Sequence, residues 1–434
     1  MRKIKIIPIL IAFVMITSSC SDKKIETDSK IKPIKSVSEV SRKDYEKLEN
    51  DSFHDKIQDL RYKIYDFSTE FFKTYKKNSS GENSLFSPIS FYYAFSALTE
   101  GADGSTKAEL LKLLKQESME SLRDSINLHK IYLSGKNEND DKILVSDSIW
   151  IDDGFRNSIK DTFLDNTSDK HFSEIFSEDL QNPSTKKGME DWVEEKTNHL
   201  IKPDIQISSD TVMFLLNTIY FKSEWEDEFN EENNYEDKFY LANGSKRDVE
   251  YMSCSVNNRY YIQDEYASTS YLRFKNGTKF TVILPNTGIS IDTILQKDLL
   301  RKYSSFQDSE NFAKINWHVP IFDFKNEIDL KSELSSMGYT EIFDMENANF
   351  TNMYDKDKYI YNIYVGSARQ LNNLKLNNEG VEAASYTEIQ MKEEGFAEPN
   401  KKEISFKLNR PFIYVISDPY DIPIFIGVFE KPNK

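Results

Sequence analysis

The sequence predicts an α+β fold in one large domain, on three observations. Apolar residues recur at helical spacing through the first half of the chain, short strand-like runs gather in the second half, and no segment repeats. The chain has 434 residues, 38% of them hydrophobic, and its 24 Tyr and 29 Phe supply bulky core material. With 29% charged residues and apolar runs throughout, the body reads as soluble and globular. The net charge of −16 argues against nucleic acid, because phosphate binding needs clustered cation.

The first element is a leader. Arg2, Lys3 and Lys5 precede an apolar run from Ile6 to Ile16, followed by Thr17-Ser18-Ser19-Cys20. A basic head, a short apolar segment and small residues make a secretory signal peptide over residues 1–19, too short to span a bilayer comfortably. Cys20 after two serines resembles a bacterial lipoprotein processing site, although Thr17 stands where such sites usually carry leucine; cleavage without lipid is the alternative. A lipidated Cys20 leaves Cys254 without an intrachain partner, so Cys254 reads as a small buried hydrophobe. Residues 20–50 are rich in Lys, Ser, Glu and Asp and read as a flexible tether.

Ile57, Leu60, Ile64, Phe67 and Phe71 then fall on one helical face, closed near Lys76-Lys77 and followed by an Asn78-Ser79-Ser80-Gly81 turn. Ser105 can cap a helix carrying Leu110, Leu111 and Leu114. Strands are predicted at 143–145, 212–221, 280–284 and 412–416. No catalytic constellation appears among them. The five histidines (His54, His129, His171, His199 and His318) stand apart, and there is no Gly-x-Ser-x-Gly elbow, phosphate-cradling loop or dinucleotide fingerprint. The chain is therefore not expected to be an enzyme, and neither metal nor cofactor is implied.

Four separated stretches carry a resemblance. The first is Asn83-Ser84-Leu85-Phe86-Ser87-Pro88-Ile89-Ser90, continuing to Gly101-Ala102-Asp103-Gly104. The second is Leu216-Asn217-Thr218-Ile219-Tyr220-Phe221-Lys222 with Trp225 and Phe229, preceded by Trp192-Val193 and Thr197. The third runs from Pro320-Ile321-Phe322 through Met337-Gly338-Tyr339 to Ala348-Asn349-Phe350. The fourth is Asn378-Glu379-Gly380-Val381-Glu382-Ala383-Ala384, followed by Asn409-Arg410-Pro411-Phe412 and Ile424-Phe425-Ile426-Gly427. In this order and spacing they resemble the serpin family. The resemblance implies a serpin domain over 51–434, with about nine helices around three β-sheets and an exposed reactive-centre loop. It implies an inhibitor of serine endopeptidases, with cysteine endopeptidases as a further target class, that forms a covalent acyl complex with its target. The alternative is a non-inhibitory binding protein on the same fold. A monomer is expected, lipid-anchored to a bacterial cell envelope and exposed at the surface or in the periplasm.

The resemblance also assigns sites. Glu379, Gly380, Val381, Glu382, Ala383, Ala384, Ser385 and Thr387 match the hinge, and Ser87, Ser90, Asn217, Gln370 and Trp192 match the shutter and breach. Asn378 stands where the family usually has glutamate, and Gln370 where many members have histidine; glutamine donates and accepts but does not titrate. Independently of family, the hinge segment alternates. Val381, Ala383, Ser385, Thr387, Ile389 and Met391 are small or apolar, whereas Glu382, Ala384, Tyr386, Glu388, Gln390 and Lys392 are mostly charged or polar, as a solvent face should be. A slip of one residue would bury Glu382 and Glu388 unpaired, so the segment is fit to become a half-buried strand in one register. Counting along the family pattern from Gly380 places the scissile bond between Glu394 and Gly395, with Met391, Lys392 and Glu393 as neighbouring candidates.

Overall fold

The computed structural model describes residues 31–36, 51–79, 81–134, 142–306, 309–381 and 402–432. The reactive bond candidates, the hinge beyond Val381 and Cys20 lie outside the described residues. Helix α1 (Asp51–Asn78) buries Ile57, Leu60, Ile64, Phe67 and Phe71, the face that the spacing predicts. Its Lys76 turns inward to Glu430 at 3.2 Å, and the turn that follows uses Gly81 at φ +77°. After β1 (Ser84–Phe86), α2 (Pro88–Gly101) begins with Ser87 as N-cap and Pro88 in the first turn, where the missing N–H costs nothing. This helix is buried along almost its whole length. Phe91 stacks on Phe67 at 4.5 Å and on Phe95 at 4.1 Å, welding α2 to α1.

Helices α3 (Gly104–Leu113) and α4 (Met119–Ser134) lead to β2 (Lys142–Asp152), a single turn α5 (Asp153–Arg156), α6 (Asp161–His171) and β3 (Ser173–Glu178). The cap of α3 is Asp103, without a side-chain bond, and not Ser105. The Ser105 hydroxyl instead donates to Glu341 at 2.5 Å, a tertiary bond that outcompetes local capping. Next come α7 (Pro183–Lys196), β4 (Met213–Glu224), β5 (Tyr235–Tyr240), β6 (Lys246–Gln263), β7 (Ala267–Arg273) and β8 (Lys279–Pro285). The chain closes with α8 (Ile291–Gln296), α9 (Leu299–Tyr303), β9 (Phe312–Pro320), β10 (Phe322–Asp329), α10 (Leu330–Ser336), β11 (Arg369–Leu376), β12 (Gly380–Val381), β13 (Glu403–Lys407), β14 (Phe412–Ser417) and β15 (Pro423–Phe429).

The described residues thus hold ten α-helices, and their strands hydrogen-bond into two networks where three sheets are expected. One has six strands in the order β10-β11-β12-β4-β2-β3, and the other nine, β1-β15-β14-β8-β7-β6-β9-β13 with β5 on β6. The nine-stranded network is two sheets fused by the long β6. Its first part pairs with β5 and β9, its last residues pair with β7, and the register shifts between Val256 and Arg259. Cys254 lies on that first part, partly covered. Burial, reinforced by Asp227 and opposed by Arg259, pushes its thiol up to about 12. Native Cys254 should therefore resist iodoacetamide at pH 8 and react fully only in denaturant, as mass spectrometry of the alkylated peptide would show.

A short piece of the expected tether is held on the six-stranded sheet. Lys35 forms an antiparallel bridge with Ile175 of the outer strand β3, and the Ile34 N–H donates to the Ile175 carbonyl at 2.7 Å. The Lys35 ammonium also pairs with Asp165. That outer edge, otherwise open to foreign strands, is blunted there.

Candidate functional site: hinge and lock of the six-stranded sheet

The hinge residues Gly380 and Val381 form β12, seated between β11 and β4 and antiparallel to both. Val381 lies level with Leu376 on one side and Ser223 on the other. Gly380 holds φ +145°, and a Cβ added there would sit 2.1 Å from the Ser223 carbonyl oxygen. Only glycine fits, for both backbone angle and space. Asn377 makes the preceding turn, its Oδ1 accepting from the Glu379 and Gly380 amides at 3.1 and 3.2 Å. Asn378 and Asn234 exchange side-chain amide bonds at 2.8 and 3.0 Å, so a neutral pair fixes the spot where the family usually has a glutamate.

Trp225 lies under this turn. Its indole donates to the Asn377 carbonyl at 2.9 Å, its backbone N–H donates to the Glu379 carbonyl at 3.0 Å, and its ring stacks on Phe274 at 4.2 Å. Trp192 has no part in the hinge. It sits on α7 and donates to Glu174 of β3 at 2.6 Å. The family stretch containing Trp225 carried the signal, because this residue follows the end of β4 by one position. Trp192, from the helix packed on the same sheet, does not reach the end where β12 enters.

Apart from β12, no strand among the described residues pairs with the edges of β4 and β11 that face each other. A narrow cleft between them is lined by Ile219, Phe221, Leu374, Val381 and Phe425. Further along, both strands are tied to the start of α2. On the β11 side, the buried Gln370 amide brackets Ser87, its Oε1 accepting from the Ser87 N–H at 2.9 Å and its Nε2 donating to the Ser87 carbonyl at 3.0 Å. The Ser87 hydroxyl donates to the Ile424 carbonyl at 2.8 Å. On the β4 side, the Ser90 hydroxyl donates to Asn217, and Asn217 donates to Asp147 of β2 at 2.5 Å.

Asp147 itself is buried against Lys130 of α4, which also donates to the His171 carbonyl. Burial pulls the Lys130 pKa below its ordinary value, while Asp147 opposes that shift. Sequence reading found Ser87, Ser90, Asn217 and Gln370 but missed Asp147 and Lys130. An Asp in a strand and a Lys in a helix carry no pattern until the fold brings them together. Gln370→Ala should leave the buried Ser87 N–H without its partner, while the Ser87 carbonyl keeps only the Phe91 N–H, costing about 2 kcal/mol in chemical denaturation and speeding inactivation on mild heating. Gln370→Glu, which cannot donate when ionised, should cost more at pH 8 than at pH 5.

A tight turn, a two-residue strand at the mouth of a cleft and a polar cluster under both flanking strands lie together along the centre of the six-stranded sheet. Comparison with known proteins gives the class its name. Residues 62–432 match the family model for serpins, described as serine protease inhibitors, and the chain belongs to the serpin family. A serpin-like protein of Methanosarcina acetivorans is 28% identical over 81% of this chain and 82% of its own length. Human serpin B13 is 26% identical over 84% of this chain and 97% of its own. Among solved structures, the thermophilic serpin tengpin in its native state matches with a TM-score of 0.74 and 27% identity, covering 93% of this chain and 97% of that one. Most serpins act as inhibitors rather than catalysts.

Proposed function

We propose that the protein inhibits serine endopeptidases, and cysteine endopeptidases of similar specificity, by trapping them as the acyl-enzyme. The observation that carries this reading is β12. The first two loop residues already pair as a strand between β11 and β4. On insertion, continuing the same register would bring Ala383 between Leu374 and Phe221, Ser385 between Asn372 and Ile219, and Thr387 between Gln370 and Asn217. Residues 370, 372, 374 and 376 are all buried, so the inward parity of β11 meets the small and apolar parity of the loop. The register ends with Met391 level with Met213, where β4 begins.

In this mechanism the target's hydroxyl or thiol attacks the scissile carbonyl. The peptide C–N bond breaks, the new amine takes a proton from the protease's base, and the upstream fragment stays bound as an ester or thioester. The freed arm then enters the sheet and carries the protease to the far end before water can attack. The driving force is strain in a metastable fold that persists kinetically. A bond after Met391 suits chymotrypsin-, elastase- or subtilisin-like enzymes, one after Lys392 suits trypsin-like enzymes, and one after Glu393 or Glu394 suits glutamate-specific ones.

The test mixes the protein with trypsin, chymotrypsin, elastase, subtilisin and a glutamyl endopeptidase and runs denaturing gels. A covalent complex that survives boiling is expected with one of them, and mass spectrometry of the released C-terminal peptide locates the bond. Clean loop cleavage without complex across the panel would sink the reading and favour a binding role. We further propose that export and lipidation at Cys20 tether the inhibitor to a bacterial envelope, supported by the leader's composition. Incorporation of an alkyne-labelled fatty acid, lost in Cys20→Ser, tests this.

A further inference from the structure

A second cavity, of about 460 Å³, opens between the β7–β8 part of the nine-stranded network and β13. Its volume suits a small organic molecule. Leu284, Ile404 and Phe406 supply apolar wall, and Ser268, Asn286 and Arg410 supply polar groups. Arg410 is the unusual member. It is half-buried, and its guanidinium bonds only neutral oxygens, the Pro285 carbonyl at 2.9 Å and Asn409 Oδ1 at 3.4 Å. No carboxylate among the described residues pairs with it.

The neighbouring charges are committed elsewhere. Lys407, on the same wall, bonds Asp237 at 2.5 Å. Asp264, whose backbone carbonyl accepts from Asn286, gives its carboxylate to Lys302, Tyr303 and the amides of Tyr266 and Ala267. A guanidinium with five donors in a fixed fork, partly desolvated beside apolar wall, is matched by a planar anion carrying an apolar body. We propose that this cavity binds a small organic carboxylate, with Arg410 as its anchor and the β13 side chains against its apolar part.

The position gives the ligand a consequence. Among the described residues, strand β13 is an edge strand paired only with β9, and it follows the reactive loop in the chain. A molecule bridging β13 to the end of β8 pins the loop's downstream anchor. The probe is 2-naphthoate, with 2-naphthamide as its neutral counterpart, titrated into the full-length protein by calorimetry.

Saturable one-to-one binding of the carboxylate is expected, at least about tenfold tighter than the amide. The amides of residues 403–407 should exchange with deuterium more slowly when it is bound. Arg410→Met should weaken the carboxylate by about tenfold or more and leave the amide unchanged. Equal affinity for the two probes, or no saturation by 2-naphthoate below about 1 mM, overturns the proposal on the wild-type protein alone, whether or not the variant folds.

Discussion

Under the proposed trapping mechanism, Gly380→Val is expected to turn the protein from an inhibitor into a substrate. Valine must adopt φ +145° and place its Cβ 2.1 Å from the Ser223 carbonyl oxygen, far inside van der Waals contact. A strained backbone of this kind costs roughly 1–3 kcal/mol, and a β-branched residue stands at the unfavourable end. The first residue of β12 then cannot seat, and each later residue must follow it into the sheet. Insertion slows while acylation, which needs only an exposed loop, proceeds as before. The number of inhibitor molecules consumed per protease trapped should rise by about tenfold or more, since 1.4 kcal/mol in the competing barrier is already a factor of ten. Gel densitometry of complex against cleaved protein measures it. A variant that traps as efficiently as wild type would show that β12 plays no part in insertion.

Thr387→Arg should abolish trapping altogether. In the proposed inserted state, the register continued from β12 would set residue 387 on the inward face between Gln370 and Asn217, the residues tied to Ser87 and Ser90. The carboxylate bonded to Asn217, that of Asp147, is already occupied by Lys130 and Asn217 and offers an arriving guanidinium no free partner. An unpaired buried charge costs several kcal/mol, enough to stop the strand half-way. Glu388→Arg, one residue on and facing solvent, is the control and should trap normally. Cleavage without complex in the first variant and complex in the second fixes both register and parity. Equal trapping by both would overturn the register.

Much of this was legible in the chain. The five apolar positions of α1 and the Ser87–Pro88 helix start are local patterns, and local patterns survive folding when tertiary contacts agree with them. Gln370 was legible through its stretch, although its bracketing of the Ser87 peptide needed coordinates. Other features depend on long-range pairing. Trp225 and Trp192 are both tryptophans near the same strand in sequence, and only the fold decides which one lies beneath the hinge. Ser105 had a capping residue's chemistry but found Glu341, far along the chain. Asp147 and Lys130 look like any solvated charges until β2 and α4 bury them face to face. The fusion of two sheets by β6 was hidden for a similar reason, since a strand does not announce that it changes partners midway.

The bridge between Lys35 and Ile175 acquires a meaning when the six-stranded sheet is viewed as two slabs. In the proposed insertion the parting line runs between β4 and β11, so β4, β2 and β3 move together, while β11 and β10 stay with the other slab. The N-terminal segment rides as a passenger on the first slab alone. A donor dye on Ser36 and an acceptor on Lys325 of β10 would sit on opposite banks of that parting line. One new strand widens the sheet by about 4.8 Å, and the pair would register its arrival as a fall in energy transfer, without touching either loop or lock.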